Sequence, residues 1–209
     1  MTWRWRTTPE GFVEVYQETG RGFEIIVLDG EDASVRSTRE WITLARPIAQ
    51  AKRVPLSWVL GVIYSESGGK ADAENFCCVG LMALNVGVFK ERTREGWKDP
   101  RANVTKGAEL LGIFRGDGWD LPSAASMYNA GPQSAPPHGP KQSILSPWGM
   151  VENAGDPWGY IERVVRAQNW FRAELGERDN RASSSSSGSD EWTAALAIAV
   201  ARWIWNQRG

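Results

Sequence analysis

The sequence predicts a mainly α-helical domain preceded by a small β element and followed, after a Ser-rich linker, by one apolar helix. Apolar alternation of period two is confined to residues 1–30, helical periodicity runs from Ser37 to Gly176, and the Ser183–Ser187 run breaks the composition abruptly. A chain of 209 residues holds one core with short appendages rather than two full domains, so a single site is sought. With 42% apolar and 23% charged residues the composition is that of an ordinary globular protein. A net charge of -1, with Lys and Arg spread along the chain, argues against nucleic acid as a partner. The twelve Trp fit either core packing or the faces of sugar rings.

Residues 1–35 are read as the β element. Phe12, Val13 and Val15 precede the turn-like Thr19-Gly20-Arg21-Gly22, and Phe23, Ile25, Ile26, Val27 and Leu28 follow it, as in a hairpin or a three-stranded unit. An isolated hairpin is marginally stable, so it is expected to pack on the main domain or a partner. The helical domain is placed at 36–178. Ser37 and Glu40 match a capping box, with Trp41, Leu44, Ala45 and Ile48 at helical spacing and Pro47 expected to kink or shorten that helix. Ser57 is the predicted cap of a second helix through Val59, Val62 and Ile63 to Glu66, stopped by Gly68-Gly69. Further helices are predicted at about 103–115 from Asn103, at about 121–129 with Pro122 in the first turn, and from Asp156-Pro157 to Gly176. The Pro/Gly/Ser-rich stretch 132–157 is too long for an ordinary connection and is read as a functional or mobile loop.

The linker is placed at 179–190 and the apolar helix at 191–209. Trp192 to Trp205 is too short to span a bilayer and is interrupted by Arg202; it either docks on a surface or folds back on the core. The opening Met-Thr-Trp-Arg-Trp-Arg is followed by Thr, Pro, Glu and Gly, not by the apolar run of an ordinary signal peptide. Adjacent Cys77 and Cys78 are not expected to form an ordinary structural disulfide with each other, and with His138 as the only His they make a poor metal set. No metal or cofactor is predicted. A nucleophilic pair of a cysteine with His138 stays open by residue type alone.

Glu66 carries the sharpest chemical signal. It stands seven residues after Val59, four after Val62 and three after Ile63, on the apolar face of its helix. Desolvation there disfavours the charged carboxylate, keeping the group protonated near neutral pH and able to donate to a leaving oxygen. Position alone also fits a carboxylate that ends the helix and reaches water.

Four separated motifs extend the reading: Tyr64-Ser65-Glu66-Ser67-Gly68, Gly80-Leu81-Met82, Ala125-Ser126-Met127-Tyr128-Asn129-Ala130-Gly131, and Tyr160 before Val164. In this order they resemble the catalytic domain of lytic transglycosylases and goose-type lysozymes, with Asp99-Pro100 and Asn103 to Leu111 similar to the family's connecting segment. The likeness spans about residues 38–172 and implies a lysozyme-like helical fold. It also implies that Glu66 is the catalytic acid/base, that Ser67 helps arrange the site and that Met82 lines the sugar groove. Tyr128 and Asn129 would flank the scissile bond, the Tyr128 hydroxyl contacting the catalytic carboxylate, and Tyr160 would close the site. After Gly80-Leu81-Met82 the family usually shows Gln where this chain has Ala83.

The implied partner is the peptidoglycan glycan strand. Glu66 would protonate the bond between N-acetylmuramic acid and N-acetylglucosamine, then take a proton from the muramoyl C6 hydroxyl, leaving a 1,6-anhydro end. Such intramolecular attack needs no second carboxylate, unlike most glycoside hydrolases. Asp72, Glu74 and Glu152 keep a lysozyme-like hydrolysis open, and Ala83 keeps open a non-catalytic wall-binding or virion structural protein. A bacteriophage origin would account for a wall-cutting enzyme without a signal peptide, the apolar C-terminal helix docking on a virion or membrane surface.

Overall fold

Every residue from Leu56 to Ile63 is buried, so the helix they begin lies inside the domain rather than on it, and the other elements are arranged around it. The computed structural model describes residues 3–7, 13–19, 22–119, 121–131, 144–146, 149–151 and 157–177. The linker at 179–190, the helix at 191–209, His138 and Glu152 lie outside the described residues.

Strands β1 (Trp3–Thr7), β2 (Val13–Thr19) and β3 (Gly22–Ile25) form an antiparallel sheet in that order, with Trp5 opposite Val15 and Tyr16 opposite Ile25. The chain leaving β3 is fastened to the last helix, α7 (Pro157–Leu175). Asn169 Nδ2 donates to the Ile26 carbonyl at 2.7 Å and Arg166 Nη1 to that of Val27 at 2.7 Å.

Helix α1 (Ala33–Arg39) is capped by Asp32, whose carboxylate accepts from Val35 N at 2.7 Å, and α2 (Ile42–Ala51) follows after a break at Glu40-Trp41. The helix expected from Ser37 therefore starts earlier and is divided. Ser37 sits inside α1, and the Trp41 indole is directed to the Gly69 carbonyl at 2.8 Å. Pro47 does not stop α2, which continues to Ala51.

Helix α3 (Leu56–Ser67) ends where predicted, with Gly68 left-handed at φ 60°. Its start differs from expectation. Ser57 is buried inside the first turn, and the cap comes from the far end of the chain: the Glu177 carboxylate accepts from Leu56 N at 2.7 Å and Ser57 N at 3.0 Å. An acidic group at this end also complements the helix dipole.

Strands β4 (Cys78–Val79) and β5 (Leu84–Asn85) pair across the Gly80–Ala83 turn, and with the short α4 (Arg94–Trp97) they enclose a minor core of Val79, Leu84 and Trp97. Cys77 and Cys78 are bonded to each other as a vicinal disulfide, against expectation; the ring closes within one dipeptide, in a turn where Asn75 Oδ1 accepts from both of their amides. Helix α5 (Pro100–Gly116) starts three residues before Asn103, because Asp99 is its cap and Pro100 its first residue. Helix α6 (Leu121–Ala130) follows. Within 132–157, read as loop, the structure places a hairpin of β6 (Ile144–Ser146) and β7 (Gly149–Val151).

Asn103 is fully buried and uses every polar atom of its side chain. Its Oδ1 accepts from Met82 N at 2.8 Å while Nδ2 donates to the carbonyls of Val79 at 2.9 Å and Trp97 at 2.8 Å, fixing the Gly80–Met82 turn on α5. Gly80, at φ +81°, is needed there because a Cβ would fall 2.7 Å from Asn103 Cγ and 2.9 Å from the Trp97 carbonyl. Asn103→Ala leaves one amide and two carbonyls unpaired in the interior, and we expect it to destabilise the domain by about 2–4 kcal/mol. Urea unfolding measures this, and a loss under about 0.5 kcal/mol would contradict it.

Candidate active site

The last turn of α3 presents Glu66 toward the first turns of α7, where the Tyr160 hydroxyl donates to its Oε1 at 2.7 Å. The residue keeps a partly accessible edge while its carboxyl is packed among protein groups. Burial raises its pKa from 4.5 to about 7, and this outweighs the Tyr160 hydrogen bond and the Arg163 cation, which both favour the carboxylate. Near neutral pH Glu66 is therefore a proton donor that can readily become a base.

The carboxylate contact that the resemblance implies for Tyr128 is made by Tyr160 instead. The Tyr128 hydroxyl donates to the Met82 carbonyl at 2.7 Å, because α6 lays it over the Gly80–Met82 turn, whereas Tyr160 reaches Glu66 because α7 packs along α3. Both phenols are pushed well above their usual range, first by burial and then by the charge of Glu66, so both remain neutral donors. Two residues before Glu66 on α3, Tyr64 donates to Asp32 Oδ2 at 3.0 Å.

Met82 does not line an open groove. Its side chain is fully buried against Gly107, where a Cβ would come within 2.7 Å of its Cε, and what it offers the site is its carbonyl. Ser67 serves the helix end, donating to the Ile63 carbonyl at 3.1 Å and accepting from Gly69 N at 3.2 Å. Asn129 is exposed near the end of α6, one residue beyond Tyr128. Of the six candidates, Glu66 and Tyr160 meet directly, and Tyr128 joins Met82 beside them.

No second carboxylate acts on Glu66 among the described residues; the groups that shift it are Tyr160 and Arg163. Asp72 is exposed, and Glu74 is exposed and paired with Lys98 at 2.8 Å. No cluster of three His, Cys, Asp or Glu that could hold a metal occurs among the described residues. Sequence reasoning missed Asn103 as the anchor of the turn. Its signal was present: an amide on the same face as Val104, Ala108 and Leu111 needs buried partners. It also missed Arg163, whose relevance comes only from the placement of α7.

Residues 43–139 match the family model described as the Transglycosylase SLT domain. Among solved structures the chain is similar to an inactive mutant of the lytic transglycosylase Slt from Pseudomonas aeruginosa, with 18% identity, a TM-score of 0.51 and coverage of 64% of this chain and 24% of that one. It is also similar to the 70 kDa soluble lytic transglycosylase Slt70 from Escherichia coli, with 19% identity, a TM-score of 0.50 and coverage of 66% and 25%. These likenesses bear out the mainly helical fold, and the chain spans about a quarter of the length of either protein. No curated protein sequence matches the chain. Tyr160 lies beyond the residues matched to the SLT model, yet it supplies the one hydrogen bond to Glu66 among the described residues.

Two outcomes follow for this site. Tyr160→Phe removes a hydrogen bond that lowers the Glu66 pKa, so the alkaline limb of any activity that needs protonated Glu66 should move to higher pH. A limb that stays in place or moves down in a pH-rate profile counts against this. Because the folded protein binds the Glu66 proton more tightly than the unfolded chain, stability should fall as pH rises from 4.5 toward about 7. Glu66→Gln should accordingly be more stable than wild type at about pH 8, by roughly 1–3 kcal/mol, with the gap closing toward about pH 4. Thermal melts across pH check this, and equal melting temperatures throughout would disprove it.

Proposed function

We propose that this protein is a peptidoglycan lytic transglycosylase. The observation that carries the proposal is a single carboxyl, Glu66, raised to about 7 by burial, in contact with the Tyr160 hydroxyl and with no carboxylate partner among the described residues. One group that changes between acid and base near neutral pH suffices when the nucleophile belongs to the substrate.

In this reading protonated Glu66 donates to the glycosidic oxygen between N-acetylmuramic acid and N-acetylglucosamine. The C–O bond breaks toward an oxocarbenium-like transition state, and Glu66 is left as a carboxylate. That carboxylate accepts the proton of the muramoyl C6 hydroxyl as its oxygen bonds to the anomeric carbon, giving a 1,6-anhydro end without consuming water. Glu66 is again protonated, so one residue completes the cycle. Tyr160 donates to the carboxylate and supports it while it is charged.

A hydrolase of the common two-carboxylate type would need a second acidic group about 5–9.5 Å away, as nucleophile or as base for a water. The direct test is mass spectrometry of muropeptides released from purified peptidoglycan, with Glu66→Gln as control. Anhydro-muramoyl products that disappear in the variant are expected. Reducing ends would establish hydrolysis instead, and no release by the wild-type protein would make this a non-catalytic wall-binding or structural domain.

A further inference from the structure

Cys77 and Cys78 are the two cysteines of the chain, and they are bonded to each other, so neither has another partner in the sequence. A disulfide stabilises a fold mainly by closing a loop in the unfolded chain, and the effect grows with loop length. Between neighbours that loop is the smallest there is, so this bond contributes little to holding the domain together. What it fixes is local: the backbone of one dipeptide in the turn that leads into β4.

That turn is open to solvent, with Phe76 94% exposed and both cysteines half-buried. It is held from within. Asn75 Oδ1 accepts from Cys77 N at 3.1 Å and Cys78 N at 2.9 Å, while the Arg94 guanidinium donates to the carbonyls of Asn75 at 2.9 Å and Phe76 at 2.8 Å. Cys77 Sγ lies 3.2 Å from the same Asn75 oxygen. A disulfide sulfur has no proton to donate, whereas a thiol has one. Opening the bond therefore brings a third donor to an acceptor whose two lone pairs already serve two amides, and it frees the rotations of the dipeptide.

The change is passed on within a few residues. The Cys77 carbonyl accepts from Val86 N at 2.9 Å, Gly80 N donates to the Ala73 carbonyl at 2.7 Å, and the Val79 carbonyl accepts from Asn103 at 2.9 Å. The Gly80–Met82 turn comes next, and its Met82 carbonyl holds the Tyr128 hydroxyl at 2.7 Å.

We propose that Cys77–Cys78 is a site of thiol–disulfide exchange: a dithiol opens it in the folded protein, and opening loosens the turn that holds Tyr128, so that the site is complete only in the oxidised state. A thiolate of the reductant bonds to one cysteine sulfur as the S–S bond breaks, and the other cysteine leaves as a thiolate and takes up a proton. The reductant's second thiolate then displaces the first cysteine. Two electrons and two protons pass to the protein, and the reductant ends as a cyclic disulfide. The effect on glycan cleavage rests on the transglycosylase reading above; the response of the turn does not.

The folded protein is treated with dithiothreitol and a sample is alkylated with iodoacetamide and weighed by mass spectrometry, while backbone amide exchange is compared between the oxidised and reduced protein. Both cysteines should be alkylated while the amides of α5 stay protected. Exchange at Gly80, Met82 and Val86 should speed up about five- to tenfold, as weakening of one hydrogen bond allows. The double variant Cys77→Ser/Cys78→Ser should show the same fast exchange and no response to the reductant. Muropeptide release by wild type should slow by a similar factor on reduction. Cysteines that react only when the whole domain unfolds would overturn the inference, and so would an opened ring with unchanged exchange at Gly80 and Met82 or an unchanged rate of release. If the oxidised protein releases nothing, the transglycosylase reading fails and amide exchange alone decides whether the turn responds.

Discussion

The close approach of α3 and α7 at Gly61 is the constraint on which the site depends. A Cβ at Gly61 would fall 2.8 Å from the Val164 carbonyl and 3.3 Å from Gln168 Cβ, so any other residue would force the two helices apart. Glycine in a helix interior costs about 1 kcal/mol relative to Ala, and here the cost is offset by the contact it permits. The helices run antiparallel. One turn back along α3, Ser57 meets Gln168, with Nε2 donating to its Oγ at 3.5 Å; just over one turn forward, Glu66 meets Tyr160 at 2.7 Å. The distance between the Glu66 carboxyl and the Tyr160 phenol is thus set by a packing contact in the core.

That packing also accounts for the proton affinity of Glu66. A helix whose first eight residues are all buried carries its terminal turn into a poorly solvated place, and the carboxyl there holds its proton more tightly than it would in water. The energy comes out of stability. Several other contacts support the helix bearing the unfavourable group: the Glu177 carboxylate holds its first amides, the Trp41 indole binds Gly69 beyond its end, and Gly69 leaves room for α1, where a Cβ would meet Thr38 N at 2.5 Å. Strain at a functional site is held in place by such surroundings.

What the sequence made legible was local. The apolar face bearing Glu66, the Gly68-Gly69 stop and the run of the last helix from Pro157 all depend on residues a few positions apart, and the structure has them where the pattern puts them. What it did not disclose were partners distant in sequence. Ser57 has the right chemistry for a cap, but Glu177, 120 residues away, takes that place and Ser57 goes into the core. Of two tyrosines with equal hydrogen-bonding capacity, Tyr128 was expected at the Glu66 carboxylate and Tyr160 is found there, because the target depends on which helix lies under each hydroxyl. Asn103 read as a helix start because Asn is favoured there. Its use as a three-way clamp appears only when β4, α4 and α5 are brought together.

The far wall of the site is made largely of main chain. Tyr128 is held by the Met82 carbonyl, the Met82 amide by Asn103, and the turn closes with Ala83 N donating to the Gly80 carbonyl at 3.1 Å. Ala83 is one of only two non-glycine residues with positive φ among the described residues, at 45°, a conformation that costs an L-residue about 1–2 kcal/mol. The clamp on the turn, not the side chain at 83, imposes that conformation. A wall built this way constrains the backbone path and leaves side chains at positions such as 83 free to differ. This agrees with the retention of the fold in structures only 18–19% identical. In such a site the main chain of the turn, through the Met82 carbonyl and amide, fixes where the Tyr128 hydroxyl stands.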